Sequence, residues 1–200
     1  MVAEAVLLVT RLVVGGMFLV ALVGKLRDPA SFRSAVRGFR VVPRRLVRPL
    51  VGIVLGAEAA VVLLVVDRTT APAGLAVAAL LLVAFAVGMA RVIARGDRVP
   101  CGCFGRSAAP VSRAHIGRNA LLATVSAAGL VAGLTAGVEP LDGPVLLVLS
   151  LFSAAVVAVL LLSDQLLTVA EPPRRPGTTS PLSAARHPVD RHNEEEVVPW

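Results

Sequence analysis

The sequence predicts an all-α integral membrane protein, a bundle of about five transmembrane helices with a short amphipathic interfacial helix after the first. Of the 200 residues, 56% are hydrophobic and only 16% are charged, which is typical of membrane proteins and argues against a soluble enzyme. The net charge of +7 comes from residues that lie between long apolar runs, rather than along one basic face. We therefore expect a lipid bilayer as a partner and no nucleic acid.

Five apolar stretches are long enough to cross a bilayer, whose hydrocarbon core of about 30 Å takes about 20 helical residues. They are residues 5–24, 50–66, 71–90, 120–138 and 145–163. The last three contain no charged residue, and the first two contain one each, Arg11 and Glu58. The first stretch lacks a basic start and a convincing cleavage site, so we interpret it as a retained helix rather than a signal peptide.

The chain divides by composition into two parts. Residues 1–168 contain all five apolar stretches and are predicted to form the transmembrane domain. Residues 169–200 contain six prolines, an acidic run at 194–196 and little apolar periodicity, so we predict a disordered tail without chemistry.

A basic segment separates the first two apolar stretches. Phe32, Val36 and Phe39 recur at helical spacing on one face, which predicts a short helix on the membrane surface. The alternative is a charge cluster that only sets the topology. The basic residues of the segment are Lys25, Arg27, Arg33, Arg37, Arg40, Arg44, Arg45 and Arg48.

The distribution of basic residues predicts the orientation in a cell membrane. The connection between the third and fourth stretches adds six arginines to the eight residues above, whereas the other two connections contain only Arg68. The positive-inside rule then places both Arg-rich connections and the C-terminus in the cytoplasm and the N-terminus outside. The six arginines are Arg91, Arg95, Arg98, Arg106, Arg113 and Arg118.

The two cysteines of the chain, Cys101 and Cys103, are separated only by Gly102. A glycine between them allows a turn that brings two sulfurs together, and a strained bridge of this kind is easily reduced. Arg98 and Arg106 flank the pair and would stabilise a thiolate. These features predict a redox-active dithiol, with a purely structural turn as the alternative.

Metal binding is a third interpretation of the cysteine pair. His115 could add a third ligand, but structural zinc takes four ligands at other spacings, so we predict no metal site. We expect His115 at the interface, at the start of the fourth span.

Arg11 and Glu58 form the second candidate site. Counted from the ends of their stretches they lie about 9 Å and about 12 Å from the same side of the membrane. Charges in hydrocarbon are costly unless they are paired, so we predict an intramembrane Arg11–Glu58 ion pair. The pair is either a structural clamp between helices or a polar site for a quinone, a proton or a substrate group.

Several short pieces in a fixed order resemble the MauE branch of the DoxX-like membrane proteins. Together they extend from residue 11 to residue 119. The pieces are Arg11 with Gly15, Gly16 and Phe18; Gly24-Lys25-Leu26 with Pro29 and Phe32; Pro43; Glu58; Cys101-Gly102-Cys103-Phe104-Gly105; and Arg118-Asn119.

The resemblance implies a helical membrane protein associated with thiol redox chemistry. It also implies a thioredoxin-like partner and a role in maturing a disulfide-rich dehydrogenase subunit. An exported subunit calls for cysteines on the outer face, whereas the arginines place the pair on the cytoplasmic side. Either the connection re-enters the membrane, or the cysteines pass electrons to a quinone or to a separate redox protein.

The leading functional prediction is a thiol-disulfide oxidoreductase that supports the maturation of disulfide-containing or redox partner proteins. The alternative is a non-catalytic scaffold or assembly factor with a structural Cys-Gly-Cys turn. A small carrier that uses the charged pair is disfavoured, because five spans without a visible inverted repeat are unusual for a transporter. A quinone is the candidate cofactor, and its binding residues are not predicted.

Overall fold

The computed structural model describes residues 2–97, 99, 110–135 and 142–170, and for residues 164–170 it describes only the backbone. Within these ranges the secondary structure is helical. The helices are α1 (Val2–Arg27), α2 (Pro29–Phe39), a 3-10 helix (Arg44–Leu46), α3 (Val47–Val66), α4 (Ala71–Ala94), α5 (Arg113–Thr135) and α6 (Gly143–Ala170). The described residues up to Val169 form one compact unit.

Five of these helices are long and apolar enough to cross a membrane: α1, α3 with the preceding 3-10 turn, α4, α5 and α6. The predicted all-α multi-pass architecture is therefore confirmed. The helices extend past the predicted stretches, because polar residues continue a helix beyond the hydrocarbon. The largest differences are seven residues each: α5 begins at Arg113 rather than at residue 120, and α6 ends at Ala170 rather than at residue 163. The predicted disordered tail lies almost wholly outside the described residues.

The core is a ring of four helices in which α1 packs against α3 and α5, and α4 packs against the same two helices. Close approach is possible because glycines stand at the crossings. A Cβ at Gly129 of α5 would overlap the side chain of Thr10 of α1. Helix α6 packs outside the ring, where Val157 contacts Gly16 of α1, and much of its apolar surface remains exposed.

The ring has two ends, which we name from their connections. At the turn end, the α3–α4 turn is closed by Asp67, which accepts hydrogen bonds from the hydroxyl and, at 2.8 Å, the backbone amide of Thr69. These two bonds hold the pKa of Asp67 below its ordinary value. At the opposite end, the α4–α5 end, α4 ends at Ala94, and Gly96 follows it with the left-handed φ of 72° that is common just after a helix.

Helix α2 has clear sequence determinants. The Asp28 side chain caps its first turn by accepting a 3.0 Å bond from the Ser31 amide, and Pro29 occupies the first helical position. Arg40 ends the helix in the left-handed conformation. Its apolar face lies against the bundle rather than only against lipid, because Phe32 packs with Val47 and Val51 of α3. The predicted short amphipathic helix is confirmed, with this more specific packing.

Candidate functional site

The most deeply buried charges are Lys25 of α1 and Glu58 of α3. The Lys25 Nζ donates a 2.6 Å hydrogen bond to Glu58 Oε1, and the side chains are only 4% and 1% exposed. A pair so thoroughly removed from water carries a large desolvation cost, which only a close partner offsets. The structure therefore joins α1 to α3 through this pair.

The predicted Arg11–Glu58 ion pair is wrong. Arg11 instead donates from Nε to the Val65 carbonyl at 2.8 Å and from Nη2 to the Val66 carbonyl. These are carbonyls of the last turn of α3, which lack partners within their own helix. Arg11 thus caps the end of α3, and Glu58 forms its ion pair with Lys25.

The stagger between α1 and α3 explains the different partners. The first turns of α1 extend beyond the end of α3, and Glu4 pairs there with Arg68 of the α3–α4 turn. Arg11 is consequently level with Val65, seven residues or about 10 Å from Glu58. Helical side chains also lean toward their own N-terminus, so Lys25 and Glu58 lean toward each other while Arg11 leans away.

Two aromatic rings surround the Lys25 ammonium. Its Nζ lies 5.3 Å from the ring centre of Phe32 in α2 and 5.8 Å from that of Phe85 in α4. Both distances fall in the range of cation–π attraction. Three helices besides α1 therefore meet at this ammonium: α3 through Glu58, and α2 and α4 through the rings.

Two buried side-chain atoms, Glu58 Oε2 and Asn119 Nδ2, have no hydrogen-bond partner in the part of the chain that the structure describes. The Asn119 side chain belongs to α5 and is 4% exposed. Leu75 of α4 lies beside Gly129 of α5, because a Cβ placed on Gly129 would touch it. The two helices are antiparallel, so Phe85, ten residues after Leu75, is level with Asn119, ten residues before Gly129. Asn119 therefore lies toward the α4–α5 end, whereas Glu58 lies nearer to the end of α3 at the turn end.

His115 lies in the first turn of α5, at the predicted start of the fourth span, and its side chain is buried in the protein. Its Nδ1 accepts a 3.2 Å bond from the Ser112 amide and lies 2.8 Å from the Ser112 hydroxyl. The backbone amide of His115 in turn donates to the Ser112 carbonyl at 3.2 Å. The bond from the Ser112 amide to the side chain three residues later is the half of a capping box that glutamate usually supplies.

Cys101, Gly102, Cys103, Arg98 and Arg106 lie outside the described residues, so the predicted redox pair and its activating arginines remain predictions. The residues on either side of the cysteine segment are described. The Val111 amide donates to the Val99 carbonyl at 3.0 Å, which joins the two sides.

Helix α2 connects Val99 to the buried ion pair. The Val99 side chain is buried and lies where a Cβ on Gly38 of α2 would overlap it. Six residues earlier in the same helix, Phe32 lies over Lys25. The chain leading into the cysteine segment and the buried pair therefore contact one short helix.

Sequence reasoning missed Lys25 and Asn119 as site residues. Lys25 was assigned to the basic connection, although it is the single lysine among 20 basic residues. That isolation is a usable signal, because a compact ammonium suits a narrow buried space better than a planar guanidinium. Asn119 and its neighbour Arg118, which is also buried, were among the pieces of the family resemblance, but the sequence assigned Asn119 no role.

Comparison with known proteins agrees with this arrangement of elements. The family model for methylamine utilisation protein MauE matches residues 3–132, which include helices α1 to α4 and nearly all of α5. The chain belongs to the MauE family. Within this family it is 38% identical over 141 residues to the methylamine utilization protein MauE of Paracoccus denitrificans. That match covers 69% of this chain and 75% of the relative. No solved structure matches the chain.

The MauE match covers all the residues of the candidate site but not α6. Lys25, Glu58, Phe85 and Asn119 all lie inside the matched residues, as do both cysteines, whereas α6 begins after residue 132. The four-helix ring with α2 is therefore the MauE part of the structure, and α6 is packed on its outside. As a MauE-family chain with five long apolar helices, the protein is a multi-pass membrane protein.

Proposed function

We propose that this MauE-family chain is a membrane thiol-disulfide redox protein in which Cys101 and Cys103 cycle between dithiol and disulfide. The observation that carries the proposal is the Cys-Gly-Cys sequence itself: the only two cysteines of the chain stand one residue apart, within the residues that match the family. A two-electron thiol switch needs two sulfurs that can reach each other, and this spacing meets that need.

The proposed chemistry depends on thiolate formation. Arg98 and Arg106 flank the cysteines in sequence and would favour the thiolate, which is the attacking form in disulfide exchange. The Val99–Val111 hydrogen bond holds together the residues that border the cysteine segment on its two sides.

The proposed partners are a thioredoxin-like or other redox protein and the disulfide-containing proteins whose maturation it serves. The relative in Paracoccus denitrificans is named for methylamine utilization, and we extend that process to this chain as part of the proposal. A dithiol without a second cysteine pair must pass its electrons to another molecule, which is either this partner protein or a membrane quinone.

Serine substitution of each cysteine tests the proposal. Cys101→Ser and Cys103→Ser should each abolish maturation of the partner protein while membrane insertion is unchanged, because neither variant can close an intramolecular disulfide. Ser126→Ala is the matched control, since this buried hydroxyl only bonds within its own helix, to the Leu122 carbonyl.

The redox state is measured in membranes by mass-tag labelling of thiols before and after reduction. One of the two serine variants should also trap a mixed disulfide with the partner protein. Full activity in both serine variants would contradict the redox role and favour the alternative, a scaffold held by the Lys25–Glu58 pair and the Arg11 cap.

A further inference from the structure

Five exposed arginines lie close together where α2 ends and α3 begins. Two stand at the end of α2, two in the 3-10 helix and one in the first turn of α3. We call this group the arginine surface: Arg37, Arg40, Arg44, Arg45 and Arg48. Because all five side chains are exposed, they can contact a molecule outside the protein.

Apolar packing beneath the arginine surface holds its two halves side by side. Phe32 of α2 packs with Val47 and Val51 of α3, and Val42 of the connecting segment packs against the same cluster. Since apolar side chains fill the inner side of this region, the guanidinium groups are left on its outer side. The position of the arginine surface is therefore set by the core of the protein.

Within the described residues, no acidic side chain forms an ion pair with this surface. The sequence has no Asp or Glu between Asp28, which caps α2, and Glu58, which pairs with Lys25. The other ion pairs of the described part are those of Arg68 and Arg95. Like charges repel at short range, so the arginine surface is suited to an anion that comes from outside the protein.

The arginine surface lies at the depth expected of phospholipid headgroups. Arg48 is five residues, about 7.5 Å along α3, from Ile53, which is 67% exposed on a helix long and apolar enough to cross a membrane. Exposed apolar side chains also stand directly beside the arginines in sequence, namely Val41 and Leu46. Basic and apolar groups together match a phospholipid, which offers a phosphate and acyl chains.

We propose that the arginine surface binds anionic phospholipids through the phosphates of their headgroups. A guanidinium binds phosphate through two parallel hydrogen bonds, and clusters of about four to eight basic residues beside a membrane span are typical of anionic-lipid binding. Zwitterionic lipids contain the same phosphate but also a cation, which the arginines repel. The inference is independent of the proposed redox chemistry, so Cys101→Ser and Cys103→Ser should leave lipid binding unchanged.

The lipid selectivity of the purified full chain tests the proposal. Nanodiscs contain equal amounts of phosphatidylglycerol and phosphatidylcholine with identical acyl chains, and mass spectrometry counts the lipids that stay bound after transfer to detergent. We expect the wild type to retain phosphatidylglycerol in roughly tenfold excess or more. The excess should shrink when salt is raised from about 0.1 M to about 1 M, because the screening length falls from about 10 Å to about 3 Å.

Two matched pairs of substitutions separate a local site from net charge. Arg44→Gln/Arg45→Gln should lower the excess roughly fivefold or more, because one arginine near an anionic surface contributes a factor of about five. Arg174→Gln/Arg175→Gln removes the same charge from the other Pro-Arg-Arg sequence, in the C-terminal tail, and should retain the wild-type excess. Equal melting temperatures in phosphatidylcholine alone check that both variants fold, and the salt dependence tests the wild type without substitution.

Equal retention of the two lipids by the wild type would overturn the proposal and leave the surface to topology or to an acidic protein. An unchanged excess in Arg44→Gln/Arg45→Gln, or equal losses in both pairs of substitutions, would also overturn it. Inorganic phosphate in large excess, at constant ionic strength, should not displace the bound phosphatidylglycerol. Displacement would make the surface a site for a soluble anion and contradict the assignment to lipid.

Discussion

Lys25 holds α1, α2, α3 and α4 together at one buried ammonium, a place in which an arginine would not fit as well. Its compact ammonium meets one carboxylate oxygen and two aromatic rings in a space closed to water. A guanidinium in the same place would bring five N–H donors in a fixed plane, most of which would find no acceptor there. Lysine at this position is therefore a requirement of the buried geometry rather than an interchangeable positive charge.

The Lys25–Glu58 pair predicts strong energetic coupling. Lys25→Met and Glu58→Leu should each lower the free energy of unfolding by about 3–5 kcal/mol, because each leaves one charge buried without its partner. The double variant should recover most of that loss. Unfolding in mild detergent, followed by protease resistance, measures the cycle, and equal losses that simply add in the double variant would contradict the pair.

Arg11 and Glu58 should behave as independent sites. Arg11→Gln removes the donors to the Val65 and Val66 carbonyls, and we expect a loss of about 1–3 kcal/mol at the turn end. Combined with Glu58→Leu, the losses should add within about 0.5 kcal/mol, because the two sites share no partner. A coupling energy well above that value in the same unfolding assay would restore the pair that the sequence predicted.

At the scale of helices, glycines set how closely neighbours approach and therefore which residues are level. Gly15 of α1 lies against Val65 of α3. A Cβ placed on Gly15 would lie 2.9 Å from a methyl carbon of Val65. Gly129 performs the same role between α1 and α5, beside Thr10. These contacts fix the stagger that separates Arg11 from Glu58.

Two glycines of α5 give a matched test of this role. Gly129→Ala should destabilise the bundle by about 1–3 kcal/mol, because the added methyl group meets the Thr10 side chain. Gly117→Ala, on the same helix with open space around it, should stabilise the helix by about 0.5–1 kcal/mol. The midpoint of unfolding measures both changes, and a stabilising Gly129→Ala would show that α1 and α5 are farther apart.

For the whole molecule, the hydrophobic runs were sufficient to predict five spans, and the periodicity of Phe32, Val36 and Phe39 was sufficient for α2. The buried pair was not predictable in the same way. Depth was counted along each helix from its apolar end, but the stagger depends on contacts such as Gly15 with Val65 that arise only in three dimensions. The early start of α5 was missed because its first turn is polar, although Ser112 and His115 cap it.

The two ends of the bundle differ in charge, and this difference predicts the orientation. Arg91, Arg95 and the arginines of α2 gather toward the α4–α5 end, whereas Glu4, Asp67 and Arg68 lie at the turn end. We propose that the α4–α5 end faces the cytoplasm of a cell membrane, with the N-terminus outside and the C-terminus inside.

A reporter that is active only outside the cytoplasm should therefore be silent after Trp200 and active when inserted in the α3–α4 turn. The turn is exposed at Thr69, which suits an insertion, and the two fusions control each other. Activity after Trp200 with silence in the turn would reverse the orientation and place the cysteines on the outer face.

The hydrogen bond between Val99 and Val111 has a consequence for how this chain can vary. It holds together the two residues that border the eleven residues 100–110. The entropic cost of such a closure rises slowly with length, by about 0.6 kcal/mol for each doubling. We therefore expect that a change in the length or sequence of residues 100–110 leaves the packing of the helices unchanged, so that one bundle can carry different reactive segments between these two valines.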